Sequence, residues 1–232
     1  MTPTLRQRLK TLWIRADFVL TRTPLRPMKG QFQPYNFTLG DRYPWLFRFA
    51  ADALEGRNDI NILSFGCSEG DEVFALAEYF PGATIKGIDI DPGNVARCET
   101  RAKEVSATRL SFAAAGTTEA EPANAYDAIF CLSVLCNGDL TNSGAKQCDH
   151  LITFDAFDRT VTDFARCLKP GGLLFLHTTN FRFCDTAVAA LFDVVLQADP
   201  SRLASDVLFD RDNRLMKHVR YRDVGFSKRD SL

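Results

Sequence analysis

From residue 60 the chain alternates short apolar runs with amphipathic stretches. INILSF is followed by a helix-spaced segment over 70–80, TIKGID by another over 92–104, and LSFAA and YDAIFCL by a third over 153–168, before LLFLHT. Runs this short, broken by helical spacing, predict strands of a parallel sheet covered by helices on both faces. A further helix over about 41–55 leads into the first strand. Near the end, VLFDRDNRLMKHVRYRDVGFSKR carries the turn signal DRDN between β-rich flanks, which predicts an antiparallel strand pair closing the sheet edge. The expected fold class is α/β: a Rossmann-like, doubly wound, mostly parallel seven-stranded sheet with an antiparallel C-terminal pair and an N-terminal helical extension.

That extension, residues 1–40, differs from the domain expected over 41–232. Leu5, Leu9, Leu12, Trp13, Ala16 and Leu20 recur at helical spacing opposite Arg6, Arg8, Lys10 and Arg15. Residues 1–30 carry seven Lys/Arg and one Asp, so this basic helix suits either docking with a solvated charged face or an anionic partner, membrane surface or RNA. Residues 21–40 hold three prolines and two glycines, which predicts an extended connector. Its Phe32, Tyr35 and Phe37 suit a lid or simple surface packing.

Composition adds little beyond a folded globular chain: 46% hydrophobic, 25% charged, formal net charge -1. Seven scattered cysteines without a CxxC pair favour reduced buried thiols over a disulfide frame, and no metal site is expected. Basic residues interrupt the N-terminal apolar positions, and no run reaches the roughly 20 residues of a membrane span. A cytoplasmic location without a transmembrane segment is expected; oligomeric state is not legible.

Chemistry concentrates at ILSFGCSEGDE, residues 62–72. Gly66 and Gly70 permit a tight strand-to-helix turn at the carboxyl end of a strand, where parallel sheets bind ligands. Asp71 and Glu72 at the helix start would repel a pyrophosphate and attract an amine, or they complement the helix dipole. Nineteen residues after Gly70, Asp89 ends the next strand where a ribose-binding acid belongs, and Ile90 follows where an adenine face can rest. Asp91-Pro92 reads as a helix cap.

ILSFGCSEGDE, IKGIDIDPGNVARC, YDAIFCLSVL and LKPGGLLFLHT, in this order over roughly residues 60–180, resemble the class I S-adenosylmethionine-dependent methyltransferases. CSEGDE and IFCLSVL are most similar to the chemotaxis-receptor glutamate type. The resemblance implies S-adenosyl-L-methionine as cofactor, bordered by Phe65, Gly66, Cys67, Gly70, Leu132 and Ser133. It implies Asp71 or Glu72 at the amino group, Asp89 at the ribose hydroxyls, Ile90 at adenine, and Thr117 nearby. Two positions depart from the family. Ser64 stands where many members carry an acid, and Ala115, Gly116 and Thr117 replace a loop with an adenine-contacting Asp.

Methyl transfer from a sulfonium is an in-line displacement that alignment and exclusion of water can drive, with a base required only for an acceptor that must lose a proton. His177, after LLFL, is the candidate base, with His150 in the polar insertion 136–150 second. Tyr35, Asn36, Asn137, Thr178 and Asn180 are candidate acceptor contacts. Arg182, Arg214, Lys217, Arg220 and Arg222 make the far end basic, suiting a carboxylate or phosphate. The leading reading is O- or N-methylation of a small molecule. The alternatives are protein carboxyl methylation, a catalytically silent cofactor-binding module, and a nicotinamide oxidoreductase resting on fold alone. A nucleic-acid partner loses weight without an NPPY-type motif, and only the basic N-terminus keeps it open.

Overall fold

The computed structural model describes residues 31–34, 42–202 and 207–230, so the basic helix expected over 4–20 lies outside the described residues, as do Tyr35 and Asn36. In chain order come α1 (Pro44–Ala53), β1 (Asn61–Phe65), α2 (Asp71–Tyr79), β2 (Thr84–Asp89), α3 (Pro92–Glu104), β3 (Leu110–Ala114) and β4 (Tyr126–Leu132). Then follow α4 (Gly138–Ser143), α5 (Phe154–Cys167), β5 (Leu168–His177), β6 (Phe192–Gln197) and β7 (Asp223–Lys228). One seven-stranded sheet runs β3-β2-β1-β4-β5-β7-β6. The strand order reverses between β1 and β4, which opens a crevice at their carboxyl ends. β7 lies antiparallel to both β5 and β6, so β7 alone runs against the rest.

Alternation along the strands sorts the core into two layers. Leu63, Phe65, Ile129, Cys131, Leu174 and Leu176 face α5, whose Phe157, Val161 and Phe164 are fully buried. Ile62, Ala128, Phe130, Leu173 and Phe175 face α1 and α2, against Leu46, Phe47, Ala50, Val73 and Leu76. Ser64 and His177 fall on this second face by the same period of two, and that decides what each can touch. Phe130 stacks on Phe175 at 4.7 Å between centroids, joining β4 to β5 beneath the crevice.

The helices start where the sequence places their caps. Asp91 accepts from the Gly93 amide at 2.7 Å with Pro92 next, and Thr153 accepts from the Ala156 amide at 3.2 Å. The antiparallel C-terminal pair closes the sheet edge as expected, but its first strand comes from a different segment. FDVVLQ supplies β6, whereas the DRDN turn closes only an isolated bridge, Phe209 with Leu215. The turn itself forms, with Asp210 accepting from the Asp212 and Arg214 amides, but the Phe209 amide bonds the Asn180 carbonyl and draws that flank away from the sheet edge. The insertion 136–150 is likewise more than a surface loop, since Leu140 and Cys148 are fully buried while His150 is exposed.

At the opposite end of the sheet Asp127 ties three strands together. Its carboxylate accepts from the Asn61 amide at 2.9 Å and from Lys169 at 2.6 Å, with Arg57 at 3.7 Å. Asp127→Ala strips a largely buried amide and a half-buried ammonium of their acceptor, and a loss of about 2 kcal/mol is expected. The check is the denaturant midpoint, with Asp127→Asn losing less.

Candidate functional site

The loop from β1 to α2 is tied to the end of β2. The amides of Gly66 and Cys67 both donate to the Ile88 carbonyl, at 2.7 and 3.0 Å. The Ser68 amide donates to Asp89 Oδ2 at 2.7 Å, and the Gly70 amide to the Cys67 carbonyl at 2.9 Å. This geometry needs φ near +76° at Gly66, +51° at Ser68 and +87° at Gly70. These amides are therefore spent within the protein, and the loop offers no phosphate cradle of the kind a dinucleotide needs.

The two carboxylates at the helix start separate. Asp71 turns to α3 and pairs with Arg101 at 2.7 Å, with that guanidinium 4.0 Å over the Phe74 ring. Glu72 turns under the sheet edge and accepts from Ser64 Oγ at 2.8 Å. Burial pushes the Glu72 carboxyl up to about 7, opposed by the Ser64 hydroxyl and the positive charge of Arg42. The acid missing from the end of β1 is thus delivered to the same place from α2.

Asp89 is buried at the end of β2, with Oδ2 accepting from Ser68 and Oδ1 from the Asp91 amide at 2.9 Å and Asn94 Nδ2 at 3.0 Å. Three of the roughly four acceptor positions of a carboxylate are filled. Among the described residues, one acceptor position on Oδ2 carries no hydrogen bond. Ile90 leans on Gly116, where a Cβ would come within 3.1 Å of Ile90 Cδ1, and Thr117 is exposed beside it. Phe65 turns into the core against Phe164 at 5.0 Å. Cys67 is buried, and its hydrogen bond with Cys98, reinforced by burial, holds its thiol well above the ordinary range. Leu132 is buried at the end of β4, and Val134 lies directly over Gly66.

Beyond β4 and β5 a second cluster assembles. Ser133 (φ +61°) and Thr178 (φ +57°) follow the two strand ends, and the Ser133 amide donates to the His177 carbonyl at 2.8 Å. Tyr43 and Trp45, from the start of α1, close over them. The Tyr43 hydroxyl lies 2.6 Å from Ser133 Oγ, and its ring sits 4.8 Å from His177, with Trp45 at 6.0 Å. His177 Nδ1 meets Thr178 Oγ1 at 2.8 Å. Burial holds its imidazole below its ordinary 6.5 against an opposing pull from the Arg202 backbone, so His177 is neutral at pH 7.

Asn137 and Asn180 are occupied as a clasp. Asn180 Oδ1 accepts from the Asn137 amide at 2.6 Å, and its Nδ2 donates to the Val207 carbonyl at 2.7 Å. Asn137 caps α4 through the Asp139 amide and donates to the Phe32 carbonyl at 2.9 Å. Arg182 is paired with Asp185, and Arg222 bonds the Ala198 carbonyl, so part of the basic far end is spent internally. Sequence reasoning missed Tyr43, Trp45, Arg42 and Arg202. The run RYPW around the Pro at the start of α1 was the available signal.

The doubly wound sheet gathers the β1–α2 loop, Glu72 and Asp89 at the carboxyl ends of β1 and β2, where open parallel sheets bind ligands. The description "methyltransferase domain" matches residues 57–212, more than half of the chain, and the chain belongs to that family. No curated protein matches. Among solved structures, the [4+2]-cyclase SpnF is 19% identical with a TM-score of 0.50, covering 87% of this chain and 78% of that one. A sarcosine dimethylglycine methyltransferase from Galdieria sulphuraria is 20% identical at TM-score 0.44, covering 57% of this chain and 43% of that one. The chain thus spans less than half the length of that protein. A geranyl diphosphate C-methyltransferase from Streptomyces coelicolor A3(2), solved with Mg2+, geranyl diphosphate and S-adenosyl-L-homocysteine, is 15% identical at TM-score 0.43, over 57% and 44% of the two chains. At these identities the likeness is one of fold.

Gly66 carries the tightest constraint of the site, because a Cβ there would lie 2.3 Å from Val134 Cγ2 as well as at positive φ. Gly66→Ala is expected to cost about 1–3 kcal/mol and to displace the loop. Thermal unfolding of Gly66→Ala and of the Gly66→Ala/Val134→Ala pair checks it, with partial recovery expected in the pair because the clash goes and the φ strain stays.

Proposed function

We propose that the chain binds S-adenosyl-L-methionine at the β1–α2 loop and transfers its methyl group to an oxygen or nitrogen of a small-molecule acceptor held beyond β4 and β5. The observation that carries the reading is the division of the loop's charges: Asp71 is neutralised on α3, while Glu72 is held under Ser64 for a cation. When bound, the cofactor supplies an electrophilic methyl group on a sulfonium.

The residues present fit such a ligand. Glu72 receives its ammonium, and Arg42, whose charge reaches both Glu72 and His177, receives its carboxylate. Asp89 takes one ribose hydroxyl, Ile90 and Gly116 border the adenine, and Leu132 and Val134 keep water from the reacting end. Gly66, Cys67, Gly70 and Phe65 shape this site by fixing the backbone and the core beneath it; Thr117 stands at its rim. Ser133 and Thr178 line the acceptor side. His177, with its ring engaged at Thr178, serves first to hold that side in shape; as a base it would have to release that bond. Asn137 and Asn180 hold the surrounding loops and act on an acceptor only through them.

A second reading is a domain that binds the cofactor without methyl transfer. The similar fold of a protein named a [4+2]-cyclase supports it, since this architecture does not dictate the reaction. Protein carboxyl methylation rests on the short CSEGDE and IFCLSVL likeness alone. Methyl transfer from labelled cofactor to extract components separates turnover from silent binding, and the size of the labelled product separates small molecule from protein.

Glu72 gives the cofactor site a titration signature. Its folded value of about 7 lies above the ordinary 4.5, so its stabilising contribution is complete below about 4.5 and is lost as pH rises through about 7. An ammonium placed on it favours the ionised form. At pH 7 binding should therefore release about half a proton, seen as a buffer-dependent calorimetric enthalpy. Glu72→Gln should abolish the release, and both it and Asp89→Ala should weaken S-adenosylhomocysteine binding about tenfold or more. Absence of binding at millimolar ligand would remove the reading altogether.

A further inference from the structure

Arg57, Arg97, Arg101, Arg166, Arg182 and Arg229 each lie within salt-bridge distance of a carboxylate. Arg202 is placed differently. Its guanidinium sits 5.2 Å over the ring of Trp45, and among the described residues it has no salt bridge to an acid. The acid beside it in the chain, Asp199, accepts from the amide and hydroxyl of Ser201, at 2.9 and 2.6 Å, and meets Arg202 only through its charge, without a salt bridge.

The placement is built rather than incidental. The turn Pro200–Arg202 is closed by the Arg202 amide on the Asp199 carbonyl at 2.8 Å. It is linked to the end of β5 through Trp45, which lies beneath the Arg202 guanidinium and packs edge-on against the His177 ring at 6.0 Å. Tyr43 joins the same ring to Ser133 at the end of β4. A guanidinium held over an indole keeps N–H groups for a ligand, and their fork matches a carboxylate or phosphate. The indole and phenol beside it offer apolar surface to the rest of the molecule.

Resting on the methyl-transfer reading above, we propose that the acceptor is a small organic acid whose carboxylate or phosphate is held by Arg202 on Trp45, with its body against Trp45, Tyr43 and His177. His177 is then a positioning residue that backs the Trp45 ring beneath Arg202. The anionic handle is supplied by this described cluster and not by the arginines 182 and 222, which are already engaged.

The test separates low-molecular-weight cell extract on an anion exchanger and offers each fraction to the full chain with methyl-labelled S-adenosylmethionine. Label accepted from the retained fraction, with Arg202→Gln lowering transfer about tenfold or more and Arg202→Lys keeping part of it, is the expected result. S-adenosylhomocysteine binding should stay within about twofold in both variants, because Arg202 is placed on the acceptor side. A labelled carboxylic acid that no longer binds the exchanger has been esterified, its oxygen having taken the methyl and lost its charge with S-adenosylhomocysteine as coproduct, and one still retained was methylated elsewhere. A phosphate keeps a negative charge in either case and is retained; each of these products supports the proposal. Acceptance from the unretained fraction only, or transfer by Arg202→Gln equal to the parent, overturns the proposal. No acceptance from either fraction, or failure to bind S-adenosylhomocysteine, instead brings down the underlying methyl-transfer reading.

Discussion

The carbonyl of Ile88 accepts two amide protons, from Gly66 and Cys67, and the site depends on that junction. It pins the first loop to the end of β2 and sets the left-handed turns at Gly66, Ser68 and Gly70. It also brings the Ser68 amide to Asp89, so the acid is oriented by the loop it serves. From this knot α2 leaves at the angle that sends Asp71 outward and Glu72 under Ser64. Ligand preference thus comes less from the glycines themselves than from what their conformation consumes: amides that would have welcomed phosphate are already bonded.

Strand identity was legible because buried parallel strands have little freedom in composition, and INILSF, TIKGID, YDAIFCL and LLFLHT all fall where expected. The start of α3 was legible because its cap is local, at Asp91-Pro92. Asp89 could be singled out from spacing, and Asp71 and Glu72 only as a pair from charge, since all lie close to a recognisable loop. β6 was not found because an edge strand with Val194 and Val195 exposed carries no clean alternation. The DRDN turn misled for a related reason: it fixes a local reversal and says nothing about which partner its flanks will take.

What the sequence hid most completely is that Tyr43, Trp45 and Arg202 gather beside Ser133 and His177. Tyr43, Ser133, His177 and Arg202 come from four separate stretches, and only the strand order puts β4 and β5 next to each other under the start of α1. Each of these residues has an ordinary explanation in isolation. Their joint placement is a product of tertiary packing, which no window of the sequence encodes. Asn137 and Asn180 show the converse, attractive as ligand contacts by position yet used up in holding loops.

Their clasp also has a temporal side. Asn137 binds the carbonyl of Phe32, 105 residues earlier in the chain, and does so while its own backbone is held by Asn180, from the end of β5. On a ribosome, the Phe32 segment therefore emerges long before its binding site exists, and it finds a place only once β4 and β5 have paired. The Phe32 segment is thus held by a partner made 105 residues after it, and a chain cut short before Asn137 lacks that hold.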